Sequence, residues 1–270
     1  IDEDVPGLTS VMRYGGDVDV VKRLLAAGYP VVAEKGYYER DSAGKVSWMG
    51  HYQFITGYDD SKRELIVQDT YLDGPNFHIS YDKFMEGWRS FDYVFLVIYP
   101  LARDQQVMSL LGPLADEGAA ARHALDVAGR ESQSLTGIDR FFAWFNIGTG
   151  HVALQEYGEA AVAYDNAFTL YAQLQEADTR RPYRMMWYQT GPYWAYYYTG
   201  RYSDVISLAD TTLKDTISAP VLEESLLWRG RAYYMTGKTD EAISDYRAAL
   251  KVHPDWGPAV QALKDLGLAQ

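Results

Sequence analysis

With 270 residues, 47% of them apolar and 23% charged, the chain has the composition of a folded protein and the length for two domains. A net charge of −12 argues against a nucleic-acid phosphate backbone as partner, because that binding needs clustered Lys and Arg. The chain has no cysteine, which excludes disulfides, thiolate metal sites and a thiol nucleophile within these residues. No apolar stretch reaches the roughly 20 residues that a membrane span takes, and no signal peptide is visible. The chain opens at Ile1 without an initiator Met, which predicts a processed, trimmed or partial product.

In chain order, residues 17–27 read as a helix, with Val18, Val21, Leu24 and Leu25 on one face and Gly28 as its stop. Residues 29–38 are rich in β-branched and aromatic side chains and end before the turn-prone 40–45, so they read as a strand. Residues 51–58 and 64–69 are two more strands, joined by the polar turn Asp59-Asp60-Ser61-Lys62. A short helix over 82–88, with Ser80 or Asp82 as cap, precedes a buried strand over 93–99 that Pro100 closes. This α-β-β-β-α-β layout predicts an α+β module with a mostly antiparallel sheet over residues 1–101. From Leu101 the apolar period turns helical. Residues 102–140 then read as a helical connector, and 141–270 as an all-α region.

Within that region the pattern Trp144, Gly148, Tyr157-Gly158, Ala160, Tyr164, Ala167-Phe168 returns as Leu226, Gly230, Tyr233, Ala242, Tyr246, Ala249-Leu250, with a closing Pro254. It resembles the tetratricopeptide (TPR) repeat, a stacked pair of helices. Small residues let the two helices approach and bulky ones fill the space between. A middle repeat over 196–213 departs from the pattern. Tyr193 stands where Gly148 and Gly230 stand, Pro192 predicts a kinked or late-starting helix, and the spacing predicts a widened loop near 177–182. Residues 255–270 read as the solvating cap helix of a solenoid.

In TPR arrays the first helix of each hairpin lines the concave face. The resemblance therefore implies a peptide-binding groove lined by Phe145 and Thr149, by Trp194, Tyr197 and Tyr198, and by Arg231 and Tyr234. The competing reading packs these aromatics between repeats or against the first domain.

The first domain carries its own set of motifs: Gly28-Tyr29-Pro30-Val31-Val32, Gly50-His51-Tyr52, Thr56-Gly57-Tyr58-Asp59, Val67-Gln68-Asp69-Thr70 and Ile79-Ser80-Tyr81 with Phe84 and Trp88. Over about residues 15–100 it resembles the second half of a papain-like cysteine peptidase of the bacteriocin-processing (double-glycine leader peptidase) type. The resemblance implies His51 as general base and Asp69 as the carboxylate that orients its imidazole. A hairpin can bring the two within hydrogen-bond reach, leaving the second ring nitrogen to take a thiol proton. Family members also carry a nucleophilic Cys at the start of a central helix, preceded by an oxyanion-stabilising Gln. Nothing here matches either, and the chain starts too close to His51 to hold that segment, so the nucleophile is expected to be cut off, not replaced. That helix covers a face of the sheet. Phe54, Ile55 and Val67 would otherwise meet water, at about 25 cal/mol per Å². An upstream segment, a second chain or the TPR helices is expected to cover them.

Two functions follow. One is a peptidase-like protein, inactive as given, whose full-length parent hydrolyses peptide bonds by a Cys–His–Asp triad while the TPRs recruit a protein or peptide. The other is a non-catalytic binding protein, a pseudopeptidase joined to TPRs. A metal site from His51, Asp69, Asp73 and His78 has weak spacing support, so neither metal nor cofactor is expected. Similar fusions look extracytoplasmic in some bacteria, which tilts the expected compartment that way.

Overall fold

The computed structural model describes residues 5–40, 46–69, 74–174, 181–182, 184–214 and 222–268. It divides into two compact units, residues 1–156 with 162–182 and residues 157–161 with 183–270. The first begins β1 (Leu8–Arg13), α1 (Val18–Ala26), β2 (Val31–Arg40), β3 (Val46–Asp59), β4 (Glu64–Gln68), β5 (Phe77–Ser80), α2 (Tyr81–Trp88) and β6 (Phe95–Pro100). The six strands form one sheet, ordered β1-β6-β2-β3-β4-β5, with every neighbouring pair antiparallel. The α+β expectation therefore holds, with β1 and β5 added. Each is a short edge strand whose weak alternation gives little signal in the sequence.

Local chemistry sets the helix starts. The Asp17 carboxylate accepts from Val20 N at 2.7 Å and caps α1, and the Ser80 hydroxyl accepts from Lys83 N and caps α2. Successive strand residues alternate faces. On one face Val11, Val31, Ala33, Ile55, Val67 and Val97 are buried, packed with Val20, Val21 and Leu24 of α1 and with Phe84 and Trp88 of α2. Val107 and Leu111 of α3 (Asp104–Leu111) join that core, so this stretch is part of the domain and not only a link.

The expectation for the sheet face needs correction. Ile55 and Val67 lie on the covered face, under helices of this same chain, and need no foreign cover. Phe54 points the other way and is 42% exposed, and Met12, Tyr52 and Ile98 on that same face of the sheet are exposed too. Because the side-chain period is two, neighbours in sequence meet opposite environments.

In α4 (Glu117–Ser134), a stripe of buried alanines, Ala120, Ala121, Ala124 and Ala128, admits the close neighbour α5 (Gly137–Ala153). Arg89, in the turn after α2, ties the two together: its guanidinium donates to Glu131 and Asp139 at 3.0 Å each, and its carbonyl accepts from Asn146. The remaining helices are α6 (Tyr157–Gln173), α7 (Met185–Tyr188), α8 (Gly191–Tyr198), α9 (Tyr202–Lys214), α10 (Glu223–Met235), α11 (Thr239–Val252) and α12 (Gly257–Asp265).

The large-to-small matching of the repeats is visible atom by atom. A Cβ on Gly148 would sit 2.5 Å from the Tyr164 ring, and one on Gly230 would sit 2.6 Å from the Tyr246 ring. In the middle hairpin the sizes change places. Tyr193 stands at the glycine position, Ala209 stands where Tyr164 and Tyr246 stand, and both are fully buried. Exchanging the partners conserves the volume between α8 and α9. The Tyr193 hydroxyl lies within hydrogen-bond distance of Ser225 Oγ at 3.1 Å and of Thr212 Oγ1 at 3.3 Å, which satisfies it inside the stack. Pro192 falls in the first turn of α8, so the helix starts late, as its missing N–H requires. The widened loop expected near 177–182 lies mostly outside the described residues.

Candidate functional site

Strands β3 and β4 form a tight hairpin whose turn is held by Asp59. Its carboxylate accepts from Ser61 N at 3.0 Å and from Lys62 N at 3.3 Å. Near the turn the register pairs Asp59 with Glu64, Tyr58 with Leu65 and Gly57 with Ile66. It then shifts, so that Ile55 meets Val67 and Phe54 meets Gln68. The extra residue is Thr56, a β-bulge. Without it Asp69 would stand opposite Phe54, on the face away from His51. With it, Gln68 faces Phe54 and Asp69 falls opposite Gln53, on the face of His51. A single inserted residue decides whether the pair meets.

It does meet. His51 Nε2 lies 3.0 Å from Asp69 Oδ1, and Gln53 Nε2 donates to Asp69 Oδ2 at 2.8 Å. The Asp69 side chain is wholly buried and that of His51 is 17% exposed. A carboxylate only accepts, so Nε2 carries the proton it donates, and proton uptake by this ring would fall to Nδ1. Tyr37 meets the imidazole edge to face, with centroids 5.5 Å apart, which restrains the ring's tilt. Lys35, buried, pairs directly opposite His51 across β2 and β3. A cavity of about 320 Å³ opens here, lined by His51, Gln53, Lys35, Tyr37 and Lys83 among others. A neighbouring one of about 290 Å³ shares Lys35, Tyr37, Tyr38 and Lys83 and continues past Trp48 to Phe142.

This pairing supplies a base and its orienting carboxylate, but no nucleophile: the chain has no thiol. For the weak metal alternative, His78 Nδ1 pairs with Glu64 at 3.0 Å, and Asp73 lies outside the described residues. No group of three or more metal-binding side chains is found among the described residues.

The groove positions divide. Phe145 is fully buried, ringed by Phe141, Tyr164 and Phe168 inside its own hairpin, and cannot touch a ligand there. Thr149 is half-buried, and its hydroxyl donates to the Phe145 carbonyl. Both were expected in the groove. The helical period places them on the first helix, but the pattern does not say which side meets the partner helix.

Trp194 and Tyr198 are 37% and 53% exposed, Tyr234 is exposed, and Tyr197 and Arg231 are half-buried. Trp194, Tyr197 and Tyr198 all meet Trp228, with centroids 4.8, 5.4 and 6.4 Å away, and the Arg231 guanidinium lies 4.6 Å over that ring. Tyr157 stacks on Tyr198 at 4.5 Å. Tyr157, part of the repeat pattern but not expected in the groove, and the buried Trp228 are also members of this aromatic platform. Gln53 was missed too, although it shares a strand face with His51 two residues away.

Residues 5–95 match the Peptidase_C39 like family, and residues 223–256 match the tetratricopeptide repeat. No curated protein matches the chain. The first match covers β1 to β5 with His51 and Asp69, and the second covers α10 and α11, including the Gly230–Tyr246 contact. The chain thus joins a segment similar to the Peptidase_C39 like family to a helical region that includes a tetratricopeptide repeat.

Proposed function

We propose that this chain is the base-bearing and polypeptide-binding part of a cysteine peptidase. In that reading His51 is the general base, Asp69 orients it, and the attacking thiol comes from a segment outside these 270 residues. The observation that carries the reading is the 3.0 Å bond between His51 Nε2 and the buried Asp69 carboxylate, whose other oxygen Gln53 holds. Such a pair fixes the tautomer with Nδ1 as acceptor, the state in which imidazole takes a thiol proton. A polypeptide would lie extended along β2, which pairs with β6 only over Val31–Ala33 and then borders the two cavities. The Trp194–Tyr198–Trp228 platform, with Tyr197, Arg231 and Tyr234, would hold a second stretch of polypeptide through its rings.

The expected outcome is sharp. The chain alone binds peptides, detected by fluorescence anisotropy, and cleaves none of them by mass spectrometry. A longer product of the same gene that contributes a cysteine cleaves them, is blocked by a thiol alkylating agent, and loses at least about a hundredfold in rate on His51→Ala. Cleavage by the cysteine-free chain, or a longer product indifferent to His51→Ala, would overturn the triad. The absence of Cys favours a second reading, a non-catalytic binding protein. A longer product that binds peptides and cleaves none would establish it.

A further inference from the structure

We propose that the aromatic platform around Trp228 binds a proline-rich segment in the polyproline II conformation. The inference rests on the peptide-binding reading of that platform and adds the chemistry of the ligand.

Every ring of the platform belongs to the unit formed by residues 157–161 and 183–270. Trp194 and Tyr198 expose 37% and 53% of their surface, with rings 6.0 Å apart and 33° from parallel. Tyr157 extends the row, stacked on Tyr198 at 4.5 Å and 23° from parallel. Trp228, 1% exposed, backs the row, and the Arg231 guanidinium lies 4.6 Å over its ring. Rings packed on one another in this way are fixed before a ligand arrives. Flat, fixed faces suit rigid pyrrolidine rings better than flexible aliphatic chains, whose rotamers would have to freeze. Ring-to-ring steps of 4.5 and 6.0 Å cover about one turn of polyproline II, which advances roughly 9 Å over three residues.

The polar groups of this surface narrow the choice of backbone. Among the described residues, the hydroxyls of Tyr157, Tyr197 and Tyr198, the Trp194 indole N–H and the Arg231 guanidinium have no hydrogen-bond partner. Indole and guanidinium only donate, and a phenol donates readily. Glu224, one turn before Trp228 on α10, already accepts from Thr190. A surface rich in donors is matched by a chain that offers acceptors and few donors. An α-helix spends its carbonyls on its own N–H groups. An extended strand brings N–H groups that need acceptors of their own. Polyproline II leaves its carbonyls free, and proline has no N–H. Its preformed conformation also lowers the ordering entropy lost on docking against aromatic side chains.

Three fluorescein-labelled peptides are compared by anisotropy on the full chain: decaproline, a flexible Gly-Ser decapeptide and an amphipathic helix with a leucine stripe. Decaproline is expected to bind at least about fivefold more tightly than either of the others. Tyr198→Phe and Trp194→Phe, which keep a ring and remove a donor, each weaken decaproline binding about threefold or more. Trp194→Ala combined with Tyr198→Ala removes the preference, and because both side chains are exposed the double variant keeps its helical circular dichroism. Equal affinity for decaproline and the Gly-Ser peptide, an advantage that survives the double variant, or unchanged affinity in both Phe variants overturns the proline-rich assignment. Tighter binding of the amphipathic helix also overturns it and leaves the peptide reading of the platform standing. Binding of none of the three overturns that reading as well.

Discussion

Alanine at Ile55 and alanine at Phe54 separate the two faces of the sheet. The residues are consecutive on β3, so backbone propensity changes almost equally in both variants. Ile55 is 0% exposed in the cluster with Val31, Val67 and Leu24. Truncating it leaves a cavity that close-packed neighbours fill only in part, at about 3 kcal/mol within the 2–5 kcal/mol range of such changes. Phe54 is 42% exposed, so somewhat over half of its surface is covered. Full burial of such a side chain contributes about 2–3 kcal/mol. Scaled to its burial, and with no closed cavity left behind, Phe54→Ala costs about 1–1.5 kcal/mol. Urea unfolding of the whole chain, followed by Trp fluorescence, reads the difference, since Trp48 and Trp88 are buried in the unit that holds the sheet. At unchanged slope, the Ile55→Ala midpoint falls by more than twice the shift of Phe54→Ala. Equal losses would refute the assignment of the faces, because Phe54 would then be as enclosed in solution as Ile55.

Glu34 is half-buried on the sheet, and desolvation pushes its pKa up to about 7 despite a hydrogen bond to Tyr52. The folded state then holds a proton that the unfolded chain has released, so stability falls as pH rises from about 4.5 to about 7. Glu34→Gln should flatten that fall and raise the melting temperature at pH 8, and an unchanged slope would contradict it. Gly230→Ala should destabilise by about 1 kcal/mol or more, because overpacking against Tyr246 exceeds the roughly 1 kcal/mol of helix propensity gained. Gly129→Ala in α4, with nothing within 4 Å of its added Cβ, should stabilise by up to about 1 kcal/mol. Thermal melts of both variants test the contrast, and like signs would remove the packing account. Trp194→Ala and Tyr198→Ala should each weaken peptide binding about tenfold by calorimetry, and unchanged affinity would place the ligand elsewhere.

The helices and most of the strands were legible because they are written locally. Asp17 and Ser80 cap, Pro192 delays a helix, and the Gly148 and Gly230 patterns announce a close pair. The resemblance to the peptidase family singled out His51 and Asp69, and the helical period placed Trp194, Tyr198 and Tyr234 on the first helices of their hairpins. The same period also put Phe145 forward, although it is an interior ring, since a spacing of 3.6 residues gives a face and not its neighbour.

What the amino-acid order determined by itself is therefore most of the elements, though not β1 or β5, and the repeat that pairs α10 with α11. Tertiary structure alone decided which residues share a surface. The bulge at Thr56 turns Asp69 toward His51, and β2 pairing sets Lys35 beside them. Tyr157 stacks on Tyr198, far away in sequence, to complete the platform around Trp228. Periodicity and capping act over a few residues, whereas register and contact are settled by packing between segments far apart in the chain, where a one-residue slip exchanges the inside for the outside.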